Sequence, residues 1–181
     1  TSQRSLRQPL YTIDSADKLV ELEALPPCNV GAPLPAIVGT EHYTALCYLA
    51  AQPMPEDWHG QYVNVLNHDS GECPVIIVEF KICADVRFGW FPDENTFSKH
   101  PLAPRGLHPY NAYEVTNSSW VRKLAQLESG NRDQALQSKR HFILTFHDTS
   151  FECVADDYTV HAVHGSVQSA MADVVTSLAG Q

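Results

Sequence analysis

Residues 141–155 read His-Phe-Ile-Leu-Thr-Phe-His, then Asp148 and Thr149, then Ser-Phe-Glu-Cys-Val-Ala. Both runs alternate between apolar and polar residues, and a period of two sends successive side chains to opposite faces of a sheet. The stretch is therefore expected to be a β-hairpin. With Asp148 and Thr149 as its two turn residues, His147 falls opposite Ser150, Thr145 opposite Glu152 and Ile143 opposite Val154. Phe142, Leu144, Phe146, Phe151, Cys153 and Ala155 then share an apolar face, which must be covered by another layer. On the polar face His147 and Glu152 become diagonal neighbours, roughly 7–8 Å apart between backbone positions. Asp-Thr is a weaker two-residue turn than Asp-Gly.

More strand signals surround this hairpin. Residues 43–51 are apolar on both alternations, as in a central strand, and residues 62–66 and 74–84 flank a polar hairpin loop at 67–72. In the second of these, Ile76, Val78, Phe80 and Ile82 form one face, with Glu79 and Lys81 on the other. Residues 86–91 continue the sheet after a bend at Asp85, and residues 110–115 and 158–163 supply two further strands. Three helices are expected. One starts at Asp14 and Ser15 and runs to about Leu25; a second is capped by Asn117 or Ser118, with Trp120, Leu124 and Leu127 as its apolar stripe. The last opens after Gly165 and Ser166 and buries Val167, Met171, Val174 and Leu178. The fold class is α+β, a largely antiparallel sheet with about three helices packed on it and barrel-like closure as an alternative. Residues 1–35 read as an arm, a short helix and a Pro-rich connection, and residues 36–181 as one domain.

The net charge of −9 over 181 residues opposes binding to nucleic acid and to anionic membranes, and basic pairs such as Arg122 and Lys123 are isolated. No apolar run is long enough to cross a bilayer. Five scattered cysteines without a C-x-x-C suggest a reduced, cytoplasmic setting. Nine histidines show no zinc-type spacing, so no metal is assigned and the cofactor is left open. A G-x-S-x-G nucleophile motif, a P-loop and a dinucleotide fingerprint are all missing. Cys153 belongs to the core face, and Cys28 lies in a Pro-rich loop without an evident base.

Two candidate sites remain. His147 and Glu152 would form a catalytic acid–base pair on the polar face of the hairpin. Residues 92–110 form a long loop of little periodicity, and loops of that length tend to carry function. Its Arg105, His108 and His100, with Trp90 just before it, are the candidate ligand-binding residues; Arg105 would meet an anionic group, or else staple the loop to an internal carboxylate.

Three strings carry a resemblance: His100-Pro-Leu-Ala-Pro-Arg-Gly-Leu-His-Pro-Tyr110, Asn117-Ser-Ser-Trp120 and the stretch 141–155. Together they resemble a family of uncharacterised bacterial proteins, over roughly residues 36–156. The resemblance implies a bacterial, cytoplasmic origin and brings no activity with it. The leading expectation is a small-molecule-binding protein or enzyme with a pocket between the 92–110 loop and the polar sheet face. The alternative is a protein-interaction or immunity-type module without chemistry, which could self-associate through a strand edge.

Overall fold

A computed structural model describes residues 13–53, 65–89, 96–127 and 135–179. Its nine strands are β1 (Lys18–Glu21), β2 (Ala36–Gly39), β3 (Tyr43–Leu49), β4 (Cys73–Lys81), β5 (Asp85–Gly89), β6 (Ala112–Thr116), β7 (Arg140–Thr145), β8 (Ser150–Ala155) and β9 (Asp157–Gly165). They form two antiparallel sheets, one ordered β1-β6-β7-β8-β5 and the other β2-β3-β4-β9. Among the described residues, helices α1 (Ser119–Leu127) and α2 (Val167–Ala179) pack outside them, and residues 135–137 are also helical. The sheets stack and do not close into a barrel, so the α+β expectation holds and the closure does not.

The layers follow from which strands are apolar on both sides. The inner cluster joins Leu46, Tyr48, Ile76, Val78 and Phe80 of one sheet to Phe142, Leu144, Phe151 and Cys153 of the other. On the far side of the four-stranded sheet, Ala45, Cys47, Val75 and Ile77 meet Val167, Ala170 and Val174 of α2. Tyr113, Val115 and Ile143, on the far side of the five-stranded sheet, meet Phe97, Leu102 and Leu107 of a segment built from two 3-10 turns. Trp120 and Val121 of α1 pack beside them on Val154. The order of layers is α2, four-stranded sheet, five-stranded sheet, and then α1 with the 97–107 segment. All six residues of β8 are buried as a result.

Two strand connections change sheets at one corner. After β4 the backbone takes a left-handed step at Ile82 (φ 49°) and enters β5 in the other sheet, leaving Ile82 57% exposed. That step ends the Ile76–Val78–Phe80 alternation one residue short of the expected face. β8 crosses the other way into β9, and the Asp156 N–H donates to the Lys81 carbonyl at 2.9 Å. Corners of this kind are where packed sheets exchange strands.

The helix expected from Asp14 is not formed; β1 occupies its middle and pairs Lys18–Glu21 with Thr116–Tyr113 of β6. Leu19 and Leu22 show why. A helix would turn both to one side, whereas the strand sends Leu19 to the outer cluster and Leu22 to the inner one. Asp17, fully buried, accepts the Asp14 N–H with one carboxylate oxygen and, with the other, the Ser119 N–H at the start of α1, 102 residues away, both at 2.7 Å.

Candidate functional site

The hairpin has the predicted faces and a different register. Thr145 pairs with Ser150, Ile143 with Glu152 and His141 with Val154, so the turn is centred on His147 and Asp148, one residue earlier than expected. A shift of two in pairing leaves every side chain on its face but changes its neighbours. Glu152 lies diagonal to His141, and the imidazole meeting its carboxylate is that of His141, with Nε2 3.2 Å from Oε2. On the other side of β8 the register puts Arg87 of β5 directly opposite Glu152, and its Nη1 reaches Oε1 at 3.2 Å.

The 97–107 segment brings in His100, whose Nε2 is 3.6 Å from Oε1 of Glu152. Its Nδ1 accepts the Leu102 N–H at 3.1 Å, which leaves Nε2 to carry the proton that faces the carboxylate. The chain of contacts continues outward: His141 Nδ1 lies 2.9 Å from Ser118 Oγ, and Trp120 stands edge-on to the imidazole with centroids 5.0 Å apart. Ser118 Oγ also accepts the Val121 N–H at 3.3 Å, so this serine caps α1. Exposure is 2% for Glu152, 0% for His141, 4% for His100 and 4% for Ser118. Burial pushes the Glu152 carboxyl up, but the N–H groups that His100 and His141 aim at it outweigh burial and hold it well below the usual carboxylate range.

With Glu152 ionised and a proton on Nε2 of His141, Nδ1 is left as a base toward the Ser118 hydroxyl. Carboxylate, imidazole and hydroxyl thus stand in the order used to activate a serine. Ser118 is part of the wall of a groove of ≈720 Å³ bounded by β6, α1 and the start of β7. Arg122, Lys139 and Arg140 also line this groove, and each is already paired, with Asp14, with Asp156 at 2.5 Å, and with Glu114 (2.6 Å) and Asp157 (2.7 Å) respectively.

The expected site residues are divided between places. Glu152 and His100 come together. His147 sits in the turn, with Nδ1 2.5 Å from the Tyr110 hydroxyl, away from Glu152. Arg105 donates to the carbonyls of Asp14, Ser15 and Asp17 (3.1, 3.5 and 3.3 Å), so it does staple the loop, onto backbone oxygens of the N-terminal turn rather than a carboxylate. His108 is exposed and contributes its backbone, N–H to Tyr113 and carbonyl to Thr145. Trp90, residues 92–95 of the loop and residues 62–64 of an expected strand lie outside the described residues. Cys28 is buried (6% exposed), its thiol pushed up to about 11 by burial, and Cys153 is on the core face as expected.

Arg87, His141 and Ser118 were not among the expected site residues. A hairpin turn centred one residue earlier would have made His141 the diagonal neighbour of Glu152; nothing in the sequence pointed to Arg87 as the partner across β8. Among the described residues no three His, Cys, Asp or Glu converge to hold a metal ion, because both imidazoles of this site address the carboxylate itself. No described helix is long and apolar enough to cross a membrane. Comparison with protein-family models, curated proteins and solved structures finds no match.

Proposed function

We propose that the protein is a small-molecule enzyme of the acyl-transfer or hydrolase type, with Ser118 as nucleophile, His141 as its base and Glu152 as the group that orients His141. The observation that carries this reading is the unbroken Glu152–His141–Ser118 chain ending on a groove wall. Ser118 would give its proton to His141 Nδ1 while Oγ bonds to the acyl carbonyl carbon. The leaving group would depart with that proton, and water would repeat the cycle to release the acid. Arg87 and His100 act at one remove, keeping Glu152 ionised beneath the sheet's cover. Because each cation of the groove already faces a carboxylate, an uncharged ester or thioester suits the groove better than an anion.

A fluorophosphonate probe tests this directly. One label per chain on Ser118 is expected, removed by Ser118→Ala and strongly slowed by Glu152→Gln, with melting curves confirming that both variants fold. A folded protein that resists the probe at large excess overturns the reading. One observation favours a different role: the Val121 N–H also uses Ser118 Oγ, as any helix cap would. In that case the chain of contacts is a latch between α1 and the sheet in an interaction module. Ser118→Ala would then lower the melting temperature, and no label would form.

A further inference from the structure

Four strands end the two sheets, β1 and β5 in one and β2 and β9 in the other, and an edge strand offers a row of backbone N–H and C=O groups to a further strand. Three of these edges carry the usual protection. β1 has four residues and begins on Lys18, β2 has four and follows Pro33 and Pro35, and β5 has five, with Arg87 at its centre. β9 is nine residues long, Asp157–Gly165, and contains no Pro, Lys or Arg. It pairs with β4 along its whole length, and its other side meets no described strand. Residues 161–164 are exposed in succession, so both faces and the edge are bare there.

The sequence of β9 is suited to pairing with itself. Two β9 strands, antiparallel about a two-fold axis through His161, overlap over all nine residues. Val160 then lies beside Ala162 of the second copy, Thr159 beside Val163, Tyr158 beside His164 and Asp157 beside Gly165. The exposed half of each strand is thereby laid against the better-covered half of the other, where Tyr158 and Val160 rest on the inner cluster. A net charge of −9 opposes self-association in general, so a self-pairing edge has to keep carboxylates apart. Asp157 is the only residue of β9 with a formal charge at pH 7; it falls opposite a glycine, and Arg140 already holds its carboxylate at 2.7 Å. At the centre, His161 Nε2 lies 2.8 Å from Glu79 Oε2, and the Tyr43 hydroxyl donates to Glu79 Oε1 at 2.5 Å. Each imidazole brings its own carboxylate, so two such units can meet across the axis without uncompensated charge.

We infer that β9 is the dimer interface of this protein: two copies pair antiparallel through residues 157–165 about His161, joining their four-stranded sheets into one. The contact is isologous and uses the same edge of both copies, so it closes at the dimer and no filament follows. One pair of strands makes a small interface, and a Kd of about 10 µM is expected. Glu152 and His141 belong to the other sheet, so this pairing stands apart from the chemistry proposed at Ser118.

Light scattering on the full chain should give the mass of two copies at about 100 µM and of one copy at about 1 µM. His161→Glu sets two carboxylates directly opposite each other across the axis and should keep the chain monomeric at about 100 µM. His161 is exposed, so this variant should melt with the parent when both are dilute. His161→Cys reads the geometry directly. The five native thiols are buried, and residue 161 is the position that meets its own copy, so mild oxidation should yield a covalent dimer. Thr176→Cys, on the exposed side of α2, should yield none. A chain that stays monomeric at about 100 µM overturns the inference and leaves the edge to a strand of another protein. A dimer that persists in His161→Glu, or that Thr176→Cys cross-links as readily as His161→Cys, overturns it too, because the copies then meet through another surface.

Discussion

Glu152 keeps a negative charge under a sheet face that water does not reach, and two imidazole N–H groups and a guanidinium make that state the stable one. Glu152→Gln leaves Arg87 facing a neutral amide and turns one acceptor into a donor opposed to a histidine N–H. Removing one partner of a buried ion pair costs about 3–5 kcal/mol; the Arg87 side chain is 29% exposed, so water recovers part of this and a loss near 3 kcal/mol is expected from urea denaturation at pH 7. The sign of the pH dependence follows from the depressed folded carboxyl. As pH falls, the unfolded chain takes up the proton first, so the contribution is complete above the ordinary carboxylate range and drains away below about pH 5 as the folded carboxyl titrates. Glu152→Gln should flatten this acid limb, and an unchanged limb would show that Glu152 does not set it. A second prediction concerns Cys83, whose thiol accepts from Cys153 and is held down to about 7 against the opposing effect of burial. Absorbance at the thiolate band should show a step of one thiol near neutral pH, and Cys153→Ala should move that step upward.

At the scale of single elements, the sequence was informative wherever one face had to be apolar. The faces of β7 and β8, the centre of β3, the Ser118 cap and the apolar side of α2 were all legible from alternation or helical spacing, since burial alone decides them. The hairpin register was not, because pairings that differ by two residues bury the same side chains; only the turn separates them. No residue from 146 to 149 has a positive φ, so the turn is not of the mirror-image type on which the two-residue expectation rested. β1 was missed for another reason. Four residues with Leu19 and Val20 at the centre suit either element, and what decides is β6, almost a hundred positions further along the chain. Asp17 gives that decision a measurable weight, because it accepts the Asp14 N–H and the Ser119 N–H, both at 2.7 Å, tying the entry of β1 to the start of α1. Asp17→Ala should cost about 1–2 kcal/mol in chemical denaturation. Combined with Ser118→Ala it should cost less than the sum, because both serve the first turn of the same helix.

For the molecule as a whole, the sheets hold together through the inner apolar cluster, and Phe80 of β4 is central to it. Its ring lies 5.0 Å from that of Phe151 and 5.6 Å from that of Phe142, both in the opposite sheet, and 6.2 Å from that of Tyr158 in its own. It is fully buried, and it immediately precedes the corner where β4 leaves for β5 and β8 returns into β9. Loss of that ring opens a void bounded by both sheets, which cannot collapse without moving the corner, so little of the cost is recovered by relaxation. Phe80→Ala should therefore destabilise by about 3–5 kcal/mol, at the upper end of what aromatic truncation costs in a core. Phe88 of β5 is the control: it is 38% exposed on the edge strand, and Phe88→Ala should cost no more than about 1 kcal/mol. Were the sheets held chiefly by their chain crossings, the two variants would unfold at nearly the same urea concentration. A wide separation, with Phe80→Ala far lower, is what a core shared between two stacked sheets requires.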